Sequence, residues 1–393
     1  MMSKESPLPL SLTSYLDRSR DSPSTPPTYP KVIPCEKIES ILMHLLESKE
    51  LVQSLLLESQ AISYRKMTRH PDQCSNLPIQ TIGQVPNPEV LAGKSAQMCI
   101  KTAYVANDTV IVSKMAAGGG DDPIHVSPNT GTVSIYDQRS LRLTHLLCDE
   151  GLLTEVRTAA AGAYVTRGAV LRAAAAAATS GASIHYNVVR KVGLVGGGVQ
   201  AIWQLRLLIA SDTVDPSNIM VVVKTRSEES ARQFIQTMAQ SAYPPDRLFQ
   251  FEIYNETHRF TQCQIIYTLT PSRSIVLKAD DVMLPSSLLS SSTSSSVESS
   301  QPFLHITAIG SDSPGKCEID TNLLDKADIC LVDLESQSKE RGEFQSYRWE
   351  NSHSKPPKLL EVGQNNVMDE KNGILLARGE EQQQQLQQQH SEW

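Results

Sequence analysis

The segment Lys191-Val-Gly-Leu-Val-Gly-Gly-Gly-Val-Gln-Ala201 constrains the fold of this chain more than any other. Val192 to Val195 is a short apolar run suited to a buried strand, and Ile202-Trp-Gln-Leu-Arg-Leu-Leu-Ile209 has the character of a helix. Between them stands Gly196-x-Gly198-x-x-Ala201. In such a turn the first glycine permits a tight bend and the second lets the backbone approach a pyrophosphate. The third position must be small so that helix and strand can pack. The helix N-terminus then offers free N–H groups and a partial positive charge to phosphates. A second apolar run, Ile219-Met-Val-Val-Val223, follows at the spacing of a strand–helix–strand unit. The pattern predicts a nucleotide cradle, with a merely structural glycine turn as the alternative.

Strands and helices alternate around this unit from Lys191 to about Leu334. The runs 191–195, 219–223, 248–254, 264–269, 303–309 and 328–333 predict an α/β fold with a Rossmann-type, doubly wound parallel sheet. A serine tract, Ser286 to Ser300, cannot form a core and reads as a surface insertion. Upstream, Ile38, Ile41, Leu42, Leu45, Leu46, Leu51, Leu55 and Leu56 recur at helical spacing. Residues 65–97 are polar and Pro-rich, a long loop or edge. Met98–Val105 and Thr109–Met115 read as strands joined by a tight hairpin at Asn107-Asp108, and Thr132–Tyr136 as a further strand. Leu152 to Ala178 reads as one long Ala-rich helix with Arg157 in its first turns. The pattern fades after Gly342. The Pro/Ser-rich residues 1–33 and the Gln-rich residues 376–393 are expected to be disordered.

Composition narrows the function classes. A formal net charge of −7 argues against a nucleic-acid partner, and no apolar run reaches the length of a membrane span. The seven cysteines are scattered without a CxxC pair, which fits reduced thiols in the cytoplasm and no metal.

Three segments say more than the glycine turn. They are Leu152-Leu-Thr-Glu-Val-Arg-Thr-Ala-Ala-Ala161, Val195-Gly-Gly-Gly-Val-Gln-Ala201 with its Gln200, and His305-Ile-Thr-Ala-Ile-Gly-Ser-Asp-Ser-Pro-Gly-Lys-Cys-Glu-Ile319. In this order they closely resemble the ornithine cyclodeaminase/mu-crystallin family, and Glu340-Arg-Gly-Glu343 fits the same pattern. The resemblance implies a two-part subunit, usually a homodimer. Residues 34–165, with part of 344–375, would bind substrate and dimerise, and residues 166–343 would bind NAD(H) or NADP(H). Such proteins oxidise or reduce a C–N bond beside a carboxylate in a small amino or imino acid. The leading implication is cyclodeamination of the L-ornithine to L-proline type. Cys99-Ile-Lys-Thr, Asp149-Glu-Gly and Ala159-Ala-Ala-Gly162 resemble instead a branch with imine reductases, so an NAD(P)H-dependent imine or ketimine reductase, such as one for iminosuccinate, or an amino-acid dehydrogenase stands beside it. A catalytically impaired NADP-binding protein is the third reading. The family's chain normally returns after about residue 365 with a strand–helix element, where this one runs into Gln382–Gln389.

The resemblance also assigns roles. Asp312, just beyond a strand, matches the catalytic acid that exchanges protons at the substrate nitrogen; a turn aspartate is the bland alternative. Arg157 matches the arginine that holds the substrate carboxylate with its planar fork. Lys114 matches a second cationic ligand. Lys101 could point into the same cleft, and Arg65 is the nearest candidate for a third contact. Thr158 would touch cofactor phosphate or substrate. Thr270, Ile309, Gly310, Ser311 and Lys316 would surround the cofactor together with Gly196, Gly198, Val199 and Gln200. At the end of the second Rossmann strand stands Lys224-Thr225-Arg226-Ser227, with no acid for the ribose hydroxyls. Two cations and two hydroxyls, including Thr225, Arg226 and Ser227, favour the 2′-phosphate of NADP(H) over NAD(H).

Overall fold

Periodicity along the chain sorts the molecule into two main sheets joined by one long helix, with three two-stranded pairs beside them. The computed structural model describes residues 29–69, 74–76, 80–83, 97–105, 108–118, 129–179, 189–241, 249–255, 259–282, 303–347, 359–364, 368–369 and 373–374. The serine tract, the Gln-rich tail and residues 1–28 of the expected lead-in lie outside them.

The first part contains β1 (Lys31–Ile33), α1 (Cys35–Leu46), α2 (Glu58–Arg69), β2 (Cys74–Asn76), β3 (Gln80–Gly83), β4 (Gln97–Val105), β5 (Val110–Gly118), β6 (Asn129–Asp137) and β7 (Leu143–Leu147). A π-type turn, Val52–Leu57, leads into α2. The sheet order is β1-β7-β6-β5-β4-β2, with β3 also pairing with β4. β4 to β7 pair antiparallel, while β1 joins β7 in parallel. Lys31–Ile33, expected in the disordered lead-in, is therefore a strand. The polar stretch 65–97 supplies the end of α2 and two edge strands rather than one long loop. β7 was not anticipated, because Leu143-Thr-His-Leu-Leu147 carries leucines that suit a helix equally well, and pairing with β6 decides it. Of the expected Asn107-Asp108 turn only Asp108 is described, with its carboxylate accepting Thr109 N–H at 2.6 Å.

The helix α3 (Leu152–Thr179) follows, starting one turn after Asp149, whose Oδ2 accepts Leu153 N–H at 3.0 Å. It runs unbroken through the domain boundary expected between residues 165 and 166. Its Val156, Ala159, Ala160 and Ala163 share one core with Ile38, Leu42 and Leu46 of α1 and with Trp203 and Leu207 of the next helix. Small side chains allow that approach: a Cβ on Gly162 would meet Gln204 at 2.7 Å.

Then come β8 (Lys191–Val195), α4 (Val199–Ala210), β9 (Met220–Lys224), α5 (Glu228–Gln240), β10 (Gln250–Ile253), β11 (Ile265–Thr268), β12 (Arg273–Leu277), β13 (His305–Ala308), β14 (Cys317–Ile319), β15 (Cys330–Val332) and β16 (Leu359–Glu361). Five strands form one parallel sheet in the order β10-β9-β8-β11-β13. All four residues of β11 are buried, as a sheet covered on both faces requires. The sixth expected strand, 328–333, is β15, and it leaves this sheet to pair with β16. Its Cys330 and Val332 pack with Phe344 and Tyr347 instead, so the apolar run found a core without joining the main sheet. β12 and β14, not anticipated, pair with each other. Order resumes after Gly342 in Glu343–Ser346 and β16, and a small hairpin of Met368–Asp369 with Gly373–Ile374 follows, its second strand lying against α3.

A chain of uncharged groups, buried at Tyr267 and Thr166 and half-buried at Thr307 and His305, seats α3 on the parallel sheet. Tyr267 O–H donates to Thr166 Oγ1 at 3.1 Å, Thr166 and Thr307 hydroxyls lie 3.3 Å apart, and Thr307 Oγ1 meets His305 Nε2 at 2.8 Å. Burial pushes His305 down to about 4, so its ring is neutral near pH 7. Among the described residues no helix is long and apolar enough to cross a membrane.

Candidate active site

The strand order reverses beside β8, and in open α/β sheets ligands sit at that crevice, outside the carboxyl ends of the strands. The glycine turn after β8 divides its labour as the motif predicts. Gly196 takes φ +111°, and a Cβ there would meet Leu269 O at 2.9 Å. Gly198 caps α4, and its missing Cβ would have nothing within 4 Å, which leaves open room over the helix start. Ala201 is fully buried against the sheet. The first N–H groups of a helix have no intrahelical acceptor, so the cradle fits an anion. Val199 is exposed beside it. Gln200 turns away: its side-chain amide donates to Glu155 O at 3.0 Å and to the Glu155 carboxylate, tying α4 to α3.

At the end of β9 the two expected cations part company. Lys224 donates to Asp281 at 2.8 Å and to Val276 O at 3.0 Å, and lies over the Tyr254 ring. Burial pushes the Asp281 carboxyl up, but the hydrogen bonds from Lys224, Tyr254 and Lys278 N–H outweigh it and hold the group below its ordinary value. Lys224 is thus engaged inside the fold. Thr225 Oγ1 donates to Ser227 O at 2.6 Å, and Ser227 caps α5 by accepting Ser230 N–H at 3.2 Å. Arg226 is exposed and has no partner among the described residues.

A cluster of positive charge forms where the antiparallel sheet meets α3. Lys101 and Lys114 are direct cross-strand partners on β4 and β5. Lys114 Nζ donates to Thr154 Oγ1 at 3.0 Å, and Thr154 lies one turn before Arg157, hence on the same helix face. Burial, then Arg157 and Lys101, push the Lys114 ammonium down to about 8. Burial and Arg157 lower Lys101 as well, against the pull of Asp333 and Asp312. The three cations and Asp312 therefore share one field. Neither Lys101 nor Arg157 has a hydrogen bond or ion pair among the described residues. Thr158 hydrogen-bonds Thr154 O of its own helix at 2.7 Å. The Arg65 side chain lies outside the described residues. Its neighbour Tyr64 stacks on Tyr164 with ring centroids 6.4 Å apart, and its hydroxyl is pushed up to about 12 by burial and by Asp333, against Arg157. Tyr64 and Asp333 escaped sequence reasoning; the one signal was an aromatic beside Arg65 and an acid just after an apolar run.

Asp312 stands on the loop after β13. Its carboxylate is exposed and accepts from Lys316 Nζ at 2.5 Å. Lys316, expected beside a cofactor, thus faces the acid. Ser311 O–H donates to Lys316 O at 2.7 Å; Gln345 accepts Gly315 N–H at 2.6 Å and donates to Lys316 O at 2.7 Å. Ile309 N–H joins Thr268 O at 3.0 Å. Thr270 and Gly310 both donate to Glu318, a wholly buried carboxylate that sequence reasoning did not single out. Among the described residues no group of His, Cys, Asp and Glu is arranged to hold a metal ion.

Residues 164–371 match the model of the ornithine cyclodeaminase/mu-crystallin family. The chain belongs to this family. A putative dehydrogenase of Rhizobium meliloti (strain 1021) is 28% identical over 249 residues, 62% of this chain and 62% of that protein, so less than two thirds of the relative's length is matched. Among solved structures of the same fold is the iminosuccinate reductase of Paracoccus denitrificans in complex with NAD+, with TM-score 0.57, 20% identity, and 80% and 79% of the two chains covered. A probable ornithine cyclodeaminase from Bordetella pertussis Tohama I gives TM-score 0.57 and 15% identity over 85% of each chain. These structures establish the Rossmann-type architecture that the sequence of this family member predicts.

Proposed function

We propose that the protein exchanges hydride between a nicotinamide dinucleotide and the carbon that bears the nitrogen of a small amino or imino acid. The convergence of Lys101, Lys114 and Arg157 beside the Asp312 loop carries this reading. Gly196, Gly198, Val199 and the start of α4 would hold the pyrophosphate, as the open room over Gly198 supports. Arg226, with Thr225 and Ser227, would meet the adenosine ribose, and its unpaired guanidinium favours NADP(H) over NAD(H). Thr270, Ile309, Gly310 and Ser311 would border the reactive ring, which when bound accepts or returns hydride. Arg157 and Lys114 would fix the substrate carboxylate, with Lys101 beside them. Asp312 would take a proton from the substrate nitrogen as the carbon is oxidised and give it back on reduction.

Two outcomes share these steps. In cyclodeamination the side-chain amine adds to the imine, ammonia leaves and the hydride returns, with no net redox change. In net oxidoreduction an imine is reduced, or an amino acid is oxidised to one. The protein is also proposed to work as a homodimer, with residues 34–165 and part of 344–375 as its substrate-binding and dimerisation part and 166–343 as its dinucleotide-binding part. Tyr104 and Met115, on the sheet face opposite Lys101 and Lys114, are exposed as an interface would need. Light scattering of the purified protein tests that assembly.

For the activity, binding of NADH and NADPH is measured first. L-ornithine, other amino acids and a panel of imines are then followed for ammonia and for reduced cofactor together. Ammonia without net cofactor change indicates the cyclodeaminase, and steady gain or loss of reduced cofactor indicates the oxidoreductase. Dinucleotide binding with neither would refute the proposal and leave a binding protein.

A further inference from the structure

We infer that Glu318 is a positioning residue that fixes the floor of the crevice beneath the reacting groups. Its side chain is wholly buried, and each carboxylate oxygen accepts two hydrogen bonds. Oε1 takes Thr270 N–H at 2.6 Å and Thr270 O–H at 2.7 Å; Oε2 takes Gly310 N–H at 2.8 Å and Thr268 O–H at 2.9 Å. An ionised carboxylate has about four acceptor sites, so the set is complete. No cation pairs with it among the described residues. Burial outweighs the pull of the four donors and leaves the group above its ordinary value.

The donors belong to the ends of two neighbouring parallel strands, β11 and β13. Glu318 therefore clamps those ends where a doubly wound sheet places its ligand. From Thr270 the contact passes to the glycine turn, since a Cβ on Gly196 would meet Thr270 Cγ2 at 3.2 Å. From Gly310 it passes within two residues to Asp312. The fit is close enough to dictate sequence: a Cβ on Gly310 would lie 1.9 Å from Thr270 O and 2.8 Å from the Glu318 carboxylate. Glu318 is itself held in place. Its N–H donates to both oxygens of Glu343, at 3.0 and 3.1 Å, and Ile319 N–H joins them at 3.1 Å. The two carboxylates, one holding the backbone of the other, thus brace the loop that carries Asp312, and among the described residues neither is bonded to Arg157 or Lys114.

The catalytic part of this inference rests on the proposed function; the brace itself does not. Glu318→Gln keeps the shape but turns an amide N–H₂ toward two donors. In the full-length protein, amide exchange at Thr270 and Gly310 is expected to quicken while α4 keeps its protection. With substrate, kcat falls about a hundredfold, and KM for the amino or imino acid, set by Arg157 and Lys114, stays within twofold. A merely structural role would lower the folded fraction and leave kcat per folded molecule unchanged. Thr268→Val removes a single donor isosterically and gives a smaller change in the same direction, which covers a Glu318→Gln protein that does not fold. Wild-type exchange rates at Thr270 and Gly310 in either variant overturn the brace, and unchanged kcat with altered exchange overturns its catalytic role. A wild-type protein that binds no dinucleotide sinks the functional reading, while the exchange data still judge the brace.

Discussion

The parallel and antiparallel sheets are built for opposite tasks. In β8, β9 and β11 nearly every residue is buried, and the strands supply shape: a turn, a floor and an open cradle. In β7 no residue is fully buried, and in β4 and β5 none of the described side chains is either; here the strands supply charge, with Lys101 and Lys114 side by side in half-buried positions. Like charges directly opposite each other on a sheet destabilise it. Among the described residues no acid is bonded to either, and under the proposed function the pair is fitted to an anion rather than to maximal stability. The tightly packed strands and the lysine pair thus lie in different layers, with Asp312 on a loop at the edge of the packed one, and substitutions should separate packing from chemistry.

The strongest test is Asp312→Asn. It is expected to lower kcat by roughly 10²- to 10⁴-fold, with the melting temperature and dinucleotide affinity unchanged because its carboxylate is exposed and, among the described residues, bonds only to Lys316. Loss of stability with retained activity would invert the division.

Next comes pH. Lys114 titrates near 8, so it is cationic below that pH and neutral above it. KM for the carboxylate substrate should rise about tenfold as pH climbs through 8 to 9, and Lys114→Arg should abolish the rise, since a guanidinium stays charged. A rise that persists in the arginine variant would point to the substrate's own amine.

Gly193→Ala probes the packing layer. The added methyl would meet the Phe260 ring at 2.7 Å, and overpacking of this kind costs about 1–3 kcal/mol. Calorimetry should show the loss, and kcat of the folded enzyme should hold.

The smallest effect concerns cofactor choice. Arg226→Ala should weaken NADPH binding about tenfold, the worth of one charge-assisted hydrogen bond, and leave NADH untouched. Lys224→Ala should alter stability and not preference, because that lysine is spent on Asp281. Fluorescence titration of both dinucleotides distinguishes them.

What was legible in the sequence follows the same division. The glycine turn could be read because its parts are contiguous and each has a local reason: Gly196 for its φ, Ala201 for its burial. The alternation of elements gave the parallel sheet. Arg157 and Lys114 were reached through family resemblance, and Lys101 through its place one hairpin before Lys114. What stayed hidden depends on partners far apart in the chain. Nothing local says that Lys224 will turn to Asp281, or that Glu318 will gather donors from Thr268, Thr270 and Gly310. β15 shows the converse failure: a short apolar run can be satisfied by Phe344 and Tyr347 as readily as by a neighbouring strand of the main sheet.

The neutral relay from Tyr267 through Thr166 and Thr307 to His305 has a consequence for solution conditions. Dissolved ions screen charges and have nothing to screen in a line of hydroxyls around an uncharged imidazole. The seat of α3 should therefore be indifferent to ionic strength, whereas the proposed grip of Arg157 on an acid, near the start of that helix and open to solvent, should slacken as salt is added. One rigid rod would then carry a salt-blind joint and a salt-sensitive hand.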